Sequence, residues 1–426
     1  MDILKRKEIA DSLFQEEVTE RVSELSAEKI LEVAAREPEP PKCGIFDFPE
    51  GLQPIPLPMT NIPNKSDALP KADIVIVTWT LDEQDGLADI FTHPYVRPGR
   101  RKNYSWYPYD RHFNEKYRNQ IRQGAPSTGS CKNPKNQLGN YFLAKVGTKT
   151  ILLFKSELHL NQDGIYLNED RTPVKCQDRY IDETGYSTLP VKELFKQIAE
   201  ETEAEHIITV GTCGASMLDH NMGDVVVTRG ASFLLSSEFA KEKFNNSFKR
   251  ERGTGVISLD KPLHVYKSDW NYSTKYFQEA ENMFNRHKDK IEYFPIQAPI
   301  TQYVDKGGFQ KPQSLQTKIH SDLTNMDEFF PILTTDFFEY GTSTNKLNEI
   351  GCGCEMGDAV LGLACEELGN KAPKWLVVRN LSDPVMNGNM IDPIRDAWAV
   401  YFYRKNGYYT SVNSAITTWA IIAGEL

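Results

Sequence analysis

Residues 72–80 read ADIVIVTWT, a short and nearly unbroken apolar run closed by Thr78, Trp79 and Thr80. A run with no polar face fits a strand covered on both sides, as in a parallel sheet. Residues 81–91, LDEQDGLADIF, continue the chain as helical material. A strand that runs directly into a helix is the repeating unit of a layered α/β domain.

The same alternation continues toward the C-terminus. YFLAKV (141–146) and KTILLFK (149–155) read as strands joined in a hairpin at Gly147-Thr148. LPVKELFKQIAEETEA (189–204) is an amphipathic helix, and HIITVG (206–211) and DVVVTRGASF (224–233) are further buried strands. A helix is predicted from Tyr276 to Lys288. FPILTTDFF (330–338) and GCGCEMGDAVLGLACEELG (351–369) come next, then a last central strand, KWLVVRNLSD (374–383), and a closing helix, SVNSAITTWAIIAGEL (411–426). The expected fold is a three-layer α/β/α domain around a central mixed sheet.

Toward the N-terminus the pattern changes. Residues 1–36 place apolar residues at helical spacing between charges, and residues 37–70 are rich in proline. The expected organisation is a helical extension and arm over 1–70, then one domain over 71–426 with insertions at 93–140 and 236–330.

Composition bounds the function. Of 426 residues, 40% are hydrophobic and 25% charged, which suits a globular chain with a sizeable core. The net charge of -10 argues against a general nucleic-acid coat. No apolar run reaches the roughly 18 residues of a membrane helix. The first residues are charged throughout, without the apolar stretch of a secretory signal. Seven cysteines form no C-x-x-C pair, so a cytoplasmic protein with reduced thiols is expected. The eight histidines show no metal-ligand spacing, so no metal or cofactor is implied.

Ligands of open α/β sheets bind beyond the carboxyl ends of strands. Four segments occupy such places. After IVIV comes Thr80-Leu81-Asp82-Glu83, where Glu83 fits either a general base or the far half of a helix capping box. After HIIT comes Gly211-Thr212-Cys213-Gly214-Ala215, small residues that let a ligand approach the backbone or simply make a tight turn. Glu355-Met356-Gly357-Asp358 places two carboxylates three apart, suited to sugar hydroxyls or to a helix dipole. After WLVV comes Arg379-Asn380-Leu381-Ser382-Asp383, where Asp383 fits an acid facing a heterocycle or a turn before Pro384.

In this order, IVIVTWTLDEQ, VGTCGA, MGDVVV, TTDFF, EMGDAV and VVRNLSD resemble the nucleoside phosphorylase/nucleosidase superfamily. The hydrolytic branch, the methylthioadenosine/S-adenosylhomocysteine and AMP nucleosidases, is the nearest likeness. The resemblance spans roughly residues 72–92, 141–235 and 330–426. It implies that Glu83 positions the attacking water and that Asp383 protonates the purine N7 as the base leaves. It implies that Phe338 stacks on the base, although a Phe after a strand also suits a core. Thr212, Cys213 and Gly214 would lie beside ribose and base, with Met356 and Ser382 near them. The family glutamate that holds the ribose hydroxyls falls at Gly357 here, which leaves Glu355 or Asp358 to replace it. The second glycine of the family loop is Ala215.

The resemblance implies cleavage of the bond between a purine and its ribose, with a nucleoside or a nucleotide such as AMP or ATP as the small-molecule partner and a homo-oligomeric assembly. No arginine occurs between Asp73 and His93, which favours water over phosphate as nucleophile. Phosphorolysis and a non-catalytic nucleotide sensor are the alternatives. Residues 93–135 carry ten basic side chains, among them Arg97, Arg100, Arg101 and Arg111, against Asp110 and Glu115, with aromatics interleaved. Such a segment suits nucleotide phosphates, a nucleic-acid strand, or a solvated loop.

Overall fold

The computed structural model describes residues 46–95, 106–118, 120–121, 137–160, 166–167, 186–235, 242–244, 246, 248–250, 257–291, 293–295, 312–320, 329–389 and 392–426. The predicted helix within 1–36 lies outside these residues, as do Arg97, Arg100 and Arg101.

A 13-stranded mixed sheet forms the middle layer. Its strands are β1 (Ile55–Pro56), β2 (Ile74–Thr78), β3 (Tyr107–Tyr109), β4 (Gly139–Val146), β5 (Lys149–Ser156), β6 (His206–Ala215), β7 (Val225–Thr228), β8 (Gly230–Phe233), β9 (Tyr266–Lys267), β10 (Thr317–Ile319), β11 (Ile332–Thr334), β12 (Gly353–Glu355) and β13 (Lys374–Asp383). The helices are α1 (Leu81–Leu87), α2 (Pro190–Thr202), α3 (Phe277–His287), α4 (Asp358–Leu368) and α5 (Asp392–Gly424). The predicted hairpin is β4–β5, with Val146 opposite Lys149 and Gly147 at φ +54° in the turn.

β2 lies between β5 and β6, parallel to both. All five of its residues are buried. Alternate side chains feed two separate cores. Val75 and Val77 pack with Leu194, Phe195 and Ile198 of α2 and with Val360 and Ala364 of α4. Ile74 and Ile76 pack with Leu87 of α1, Met283 of α3 and Val412, Ile416 and Trp419 of α5. Helices therefore cover both faces, as an all-apolar strand requires.

β6 changes neighbours along its length. It pairs with β2 through Thr209, then with antiparallel β12 at Gly214 and Ala215. Along its other edge it runs parallel to β13. The carboxyl ends of β2, β6 and β13 and the end of β12 thus converge on one place.

Two expectations change. The closing helix begins at Asp392, well before residue 411. Its first half has no clean apolar stripe because Lys405, Asn406 and Thr410 are buried along with the apolar residues. Three aromatics of the basic insertion are core: Trp106, Tyr109 and Tyr117 are at most 1% exposed. β3 adds to β4, and the Tyr117 hydroxyl donates to Gln197 Oε1 of α2 at 2.9 Å. The described part of the arm also packs on the domain, through β1 on β4 and through Trp419 Nε1 donating to the Leu52 carbonyl at 2.8 Å. No described helix is long and apolar enough to cross a membrane.

Candidate active site

Glu83 sits at the third position of α1, so its carboxylate reaches back over the helix start. Oε2 accepts from the Thr78 hydroxyl at 2.9 Å, Trp79 N–H at 3.0 Å and Thr80 N–H at 2.8 Å. The Thr80 hydroxyl accepts from Glu83 N–H at 3.3 Å, completing a capping box. Oε1 crosses to β6, where the Thr212 N–H and hydroxyl each donate at 2.8 Å. The capping reading and the site reading therefore meet in one residue. Gly211 makes the crossing possible: a Cβ there would lie 2.5 Å from Glu83 Oε1 and 2.6 Å from Arg379 Nη1.

Asp383 ends β13, where the register against β6 shifts between Leu381 and Asp383. Such an irregularity re-aims side chains at the end of a strand. Oδ1 lies 3.0 Å from the Ser382 hydroxyl, while Oδ2 is buried without a hydrogen-bond partner. Burial pushes this carboxyl up to about 7, against the pull of the Ser382 hydroxyl. Gly214 leaves it room, since a Cβ there would lie 2.9 Å from Asp383 Oδ2.

Between these two acids stands Arg379, which the sequence reading passed over. Its Nε and Nη2 donate to Asp358 Oδ2 and Oδ1 at 2.9 and 2.5 Å. Nη2 also donates to Glu355 Oε2 at 3.1 Å, and Nη1 to the Thr212 carbonyl at 3.3 Å. The guanidinium lies over the Trp79 ring, 4.8 Å from its centroid. The signal was in the strand itself: a charge inside a run buried on both faces needs partners.

Glu355 is equally occupied. It accepts from the Thr334 hydroxyl, Gly357 N–H at 2.5 Å, Asp358 N–H at 2.9 Å and Arg379. Two of these donors are amides at the start of α4, which otherwise lack helical partners. Burial and the neighbouring Asp358 push the Glu355 carboxyl up, with Arg379 opposing them.

One cavity enclosing about 560 Å³, open solvent at its mouth included, brings these groups together. Glu83, Thr212, Cys213, Gly214, Phe338, Glu355, Met356, Ser382 and Asp383 line it. Trp79, His159, Glu339, Arg379 and Tyr403 join them. Two expected residues stand apart. Asp358 is absent from the lining, and both its oxygens are held by Arg379. Arg111 pairs with Glu201 at 3.3 Å, and Glu201 accepts from Leu69 N–H near the amino end of β2. Arg111 is likewise absent from the lining. Among the described residues, no group of three or more His, Cys, Asp or Glu is placed to hold a metal ion.

No protein-family model matches the chain, and no curated sequence matches it. Among solved structures it is similar to the futalosine hydrolase of Helicobacter pylori strain 26695, at 9% identity and TM-score 0.40, over 83% of this chain and 97% of that one. It is similar to the 5'-methylthioadenosine/S-adenosylhomocysteine nucleosidase from Neisseria meningitidis in complex with methylthio-immucillin-A, at 12% identity and TM-score 0.40, over 82% and 98%. The S-adenosylhomocysteine nucleosidase from Streptococcus pyogenes in complex with 5-methylthiotubericidin is similar at 14% identity and TM-score 0.38, over 84% and 98%.

Proposed function

We propose that the cavity hydrolyses the N-glycosidic bond of a purine nucleoside or nucleotide. The observation that supports this best is Asp383, a buried acid titrating near neutrality whose Oδ2 has no partner. A purine is a poor leaving group until it is protonated. A half-protonated acid at pH 7 is suited to supply that proton.

In this reading the base lies against Phe338 with N7 toward Asp383 Oδ2, and the sugar lies toward Glu83. The C1'–N9 bond breaks with its electron pair going to the base, and Asp383 gives its proton to N7. Water attacks C1' and releases a proton to Glu83. The sugar passes through a cationic state, as in glycoside hydrolysis. The side-chain oxygens of Glu83 and Glu339 in the lining favour that charge. Water reaches Glu83 when the Thr212 hydroxyl, a rotor, turns from Oε1 toward it.

Among the described lining residues the one guanidinium is already held by two carboxylates, which favours water over inorganic phosphate as nucleophile. Any phosphate on the substrate would meet groups beyond this lining. The test is incubation with adenosine, AMP, ATP and their guanine counterparts, with and without phosphate, then chromatography for free base. Base released without phosphate supports hydrolysis, and release only with phosphate replaces it by phosphorolysis.

A second reading, a sensor that binds without cleaving, is favoured by one observation: the carboxylate oxygens of Glu83 and Glu355 already accept hydrogen bonds from the chain itself. Tight binding with no base released from any substrate would establish it.

A further inference from the structure

The acids at the Glu83 end of the cavity are already engaged by the chain, with only the bond from the Thr212 hydroxyl free to give way to the attacking water. A carboxylate offers about four lone-pair sites. Glu83 takes five hydrogen bonds and Glu355 takes four. Asp358 commits both oxygens to Arg379.

What this end offers instead is a donor. Trp79 lines the cavity, is 5% exposed, and its indole Nε1 has no hydrogen-bond partner. Its ring is fixed between the Arg379 guanidinium and Gly357. A Cβ on residue 357 would lie 2.8 Å from Trp79 Cζ2, so any side chain there displaces the ring.

We propose that Trp79 is the sugar-recognising residue and that the site takes 2'-deoxyribosyl substrates at least as well as ribosyl ones. This rests on the N-glycosidase reading, which sets the sugar between Asp383 and Glu83. Gripping a vicinal diol takes a free carboxylate oxygen for its hydroxyls; the carboxylates here are engaged within the chain, and the oxygen that the Thr212 hydroxyl vacates takes the attacking water. A 2'-hydroxyl leaving water therefore gains no carboxylate in this end of the cavity. The indole N–H needs one sugar oxygen, which a deoxyribose also has. Loss of the electron-withdrawing 2'-oxygen additionally eases formation of the cationic sugar.

The experiment uses the full chain with adenosine, AMP, ATP and guanosine, each beside its 2'-deoxy counterpart. Base release gives kcat/KM, and calorimetry gives Kd. The expected deoxy-to-ribo ratio is one or greater in both readouts. Trp79→Phe keeps a ring on Arg379 and removes the N–H. It is expected to weaken Kd and KM about tenfold for both sugars with kcat little changed, as for one lost hydrogen bond. A tenfold preference for ribose overturns the proposal, as does unchanged binding in Trp79→Phe. The expected ratio in Kd without any base release overturns the N-glycosidase reading and leaves the sugar preference standing. No binding and no release with any compound overturns both.

Discussion

Asp358 grips Arg379 through both carboxylate oxygens, at 2.5 and 2.9 Å, with both side chains at most 3% exposed. Breaking one side of a buried pair is costly, although Glu355 still faces Arg379 at 3.1 Å once Asp358 is removed. Asp358→Ala is therefore expected to cost about 3 kcal/mol of stability, the low end for such a break. Urea unfolding checks this, and a loss below about 1 kcal/mol would show the pair to be dispensable.

Asp383 is expected to impose a pH limb on turnover. The proton donor is the protonated form, so the rate falls as pH rises through about 7. Asp383→Asn should lower kcat roughly 10²–10⁴-fold and abolish that limb. The effect on stability has a defined sign. The folded group holds its proton up to about 7, whereas the ordinary value is 3.8, so the folded state binds more protons between these values. The resulting stabilisation is fully present below 3.8 and is lost as pH rises through about 7. Asp383→Asn should therefore gain on the parent above pH 7, by up to about 4 kcal/mol. Thermal melts at pH 5 and 8 measure the difference, and a gap independent of pH would contradict it.

Glu83→Gln replaces an acceptor-only group by an amide facing donors on both sides. Turnover should fall on the order of 10²-fold or more, because the amide cannot take a proton from water. Thr212→Val removes one of those donors and leaves Glu83 charged. It is expected to cost less activity than Glu83→Gln, and single-turnover assays of the two variants rank them.

Gly211→Ala sets a methyl group 2.5 Å from Glu83 Oε1 and 2.6 Å from Arg379 Nη1. Overpacking of this kind costs about 1–3 kcal/mol. Because both neighbours line the cavity, kcat should fall with stability, whereas Gly369→Ala, whose added Cβ meets nothing within 4 Å, should leave kcat unchanged. Paired melting and rate measurements compare the two.

Arg111→Ala should leave KM for AMP and ATP unchanged, since Arg111 pairs with Glu201 and is absent from the cavity lining. A rise of tenfold in either KM would return Arg111 to the phosphate role that its sequence context suggested.

The layers were legible because β2 is apolar from Ile74 to Val77 and β13 from Trp375 to Val378, and such runs have one stable setting, between two helical layers. Strand-end chemistry was legible for the same reason: where the apolar run stops, Glu83 or Asp383 stands close behind it. The partnerships were not. Glu83 meets Thr212 from 129 positions away and Arg379 meets Asp358 from 21, so no local period encodes either. Glu355 and Asp358 read as acids available to a ligand because nothing nearby in sequence shows Arg379 between them. The aromatics of the basic insertion read as a binding surface because basic residues are interleaved with them in sequence, yet Tyr109 and Tyr117 point inward onto α2. The first half of α5 was hidden by its own buried polar residues.

The carboxylate that closes the capping box of α1 is also one that lines the cavity. Three of its hydrogen bonds seal the start of the helix, and two tie α1 to β6. A chain in which that helix has not yet formed has no Glu83 in place, and one in which β6 has not docked leaves Oε1 empty. The pocket therefore has no assembly step of its own: it comes into being with the last contact between two strands and a helix, and it vanishes when any one of the three lets go.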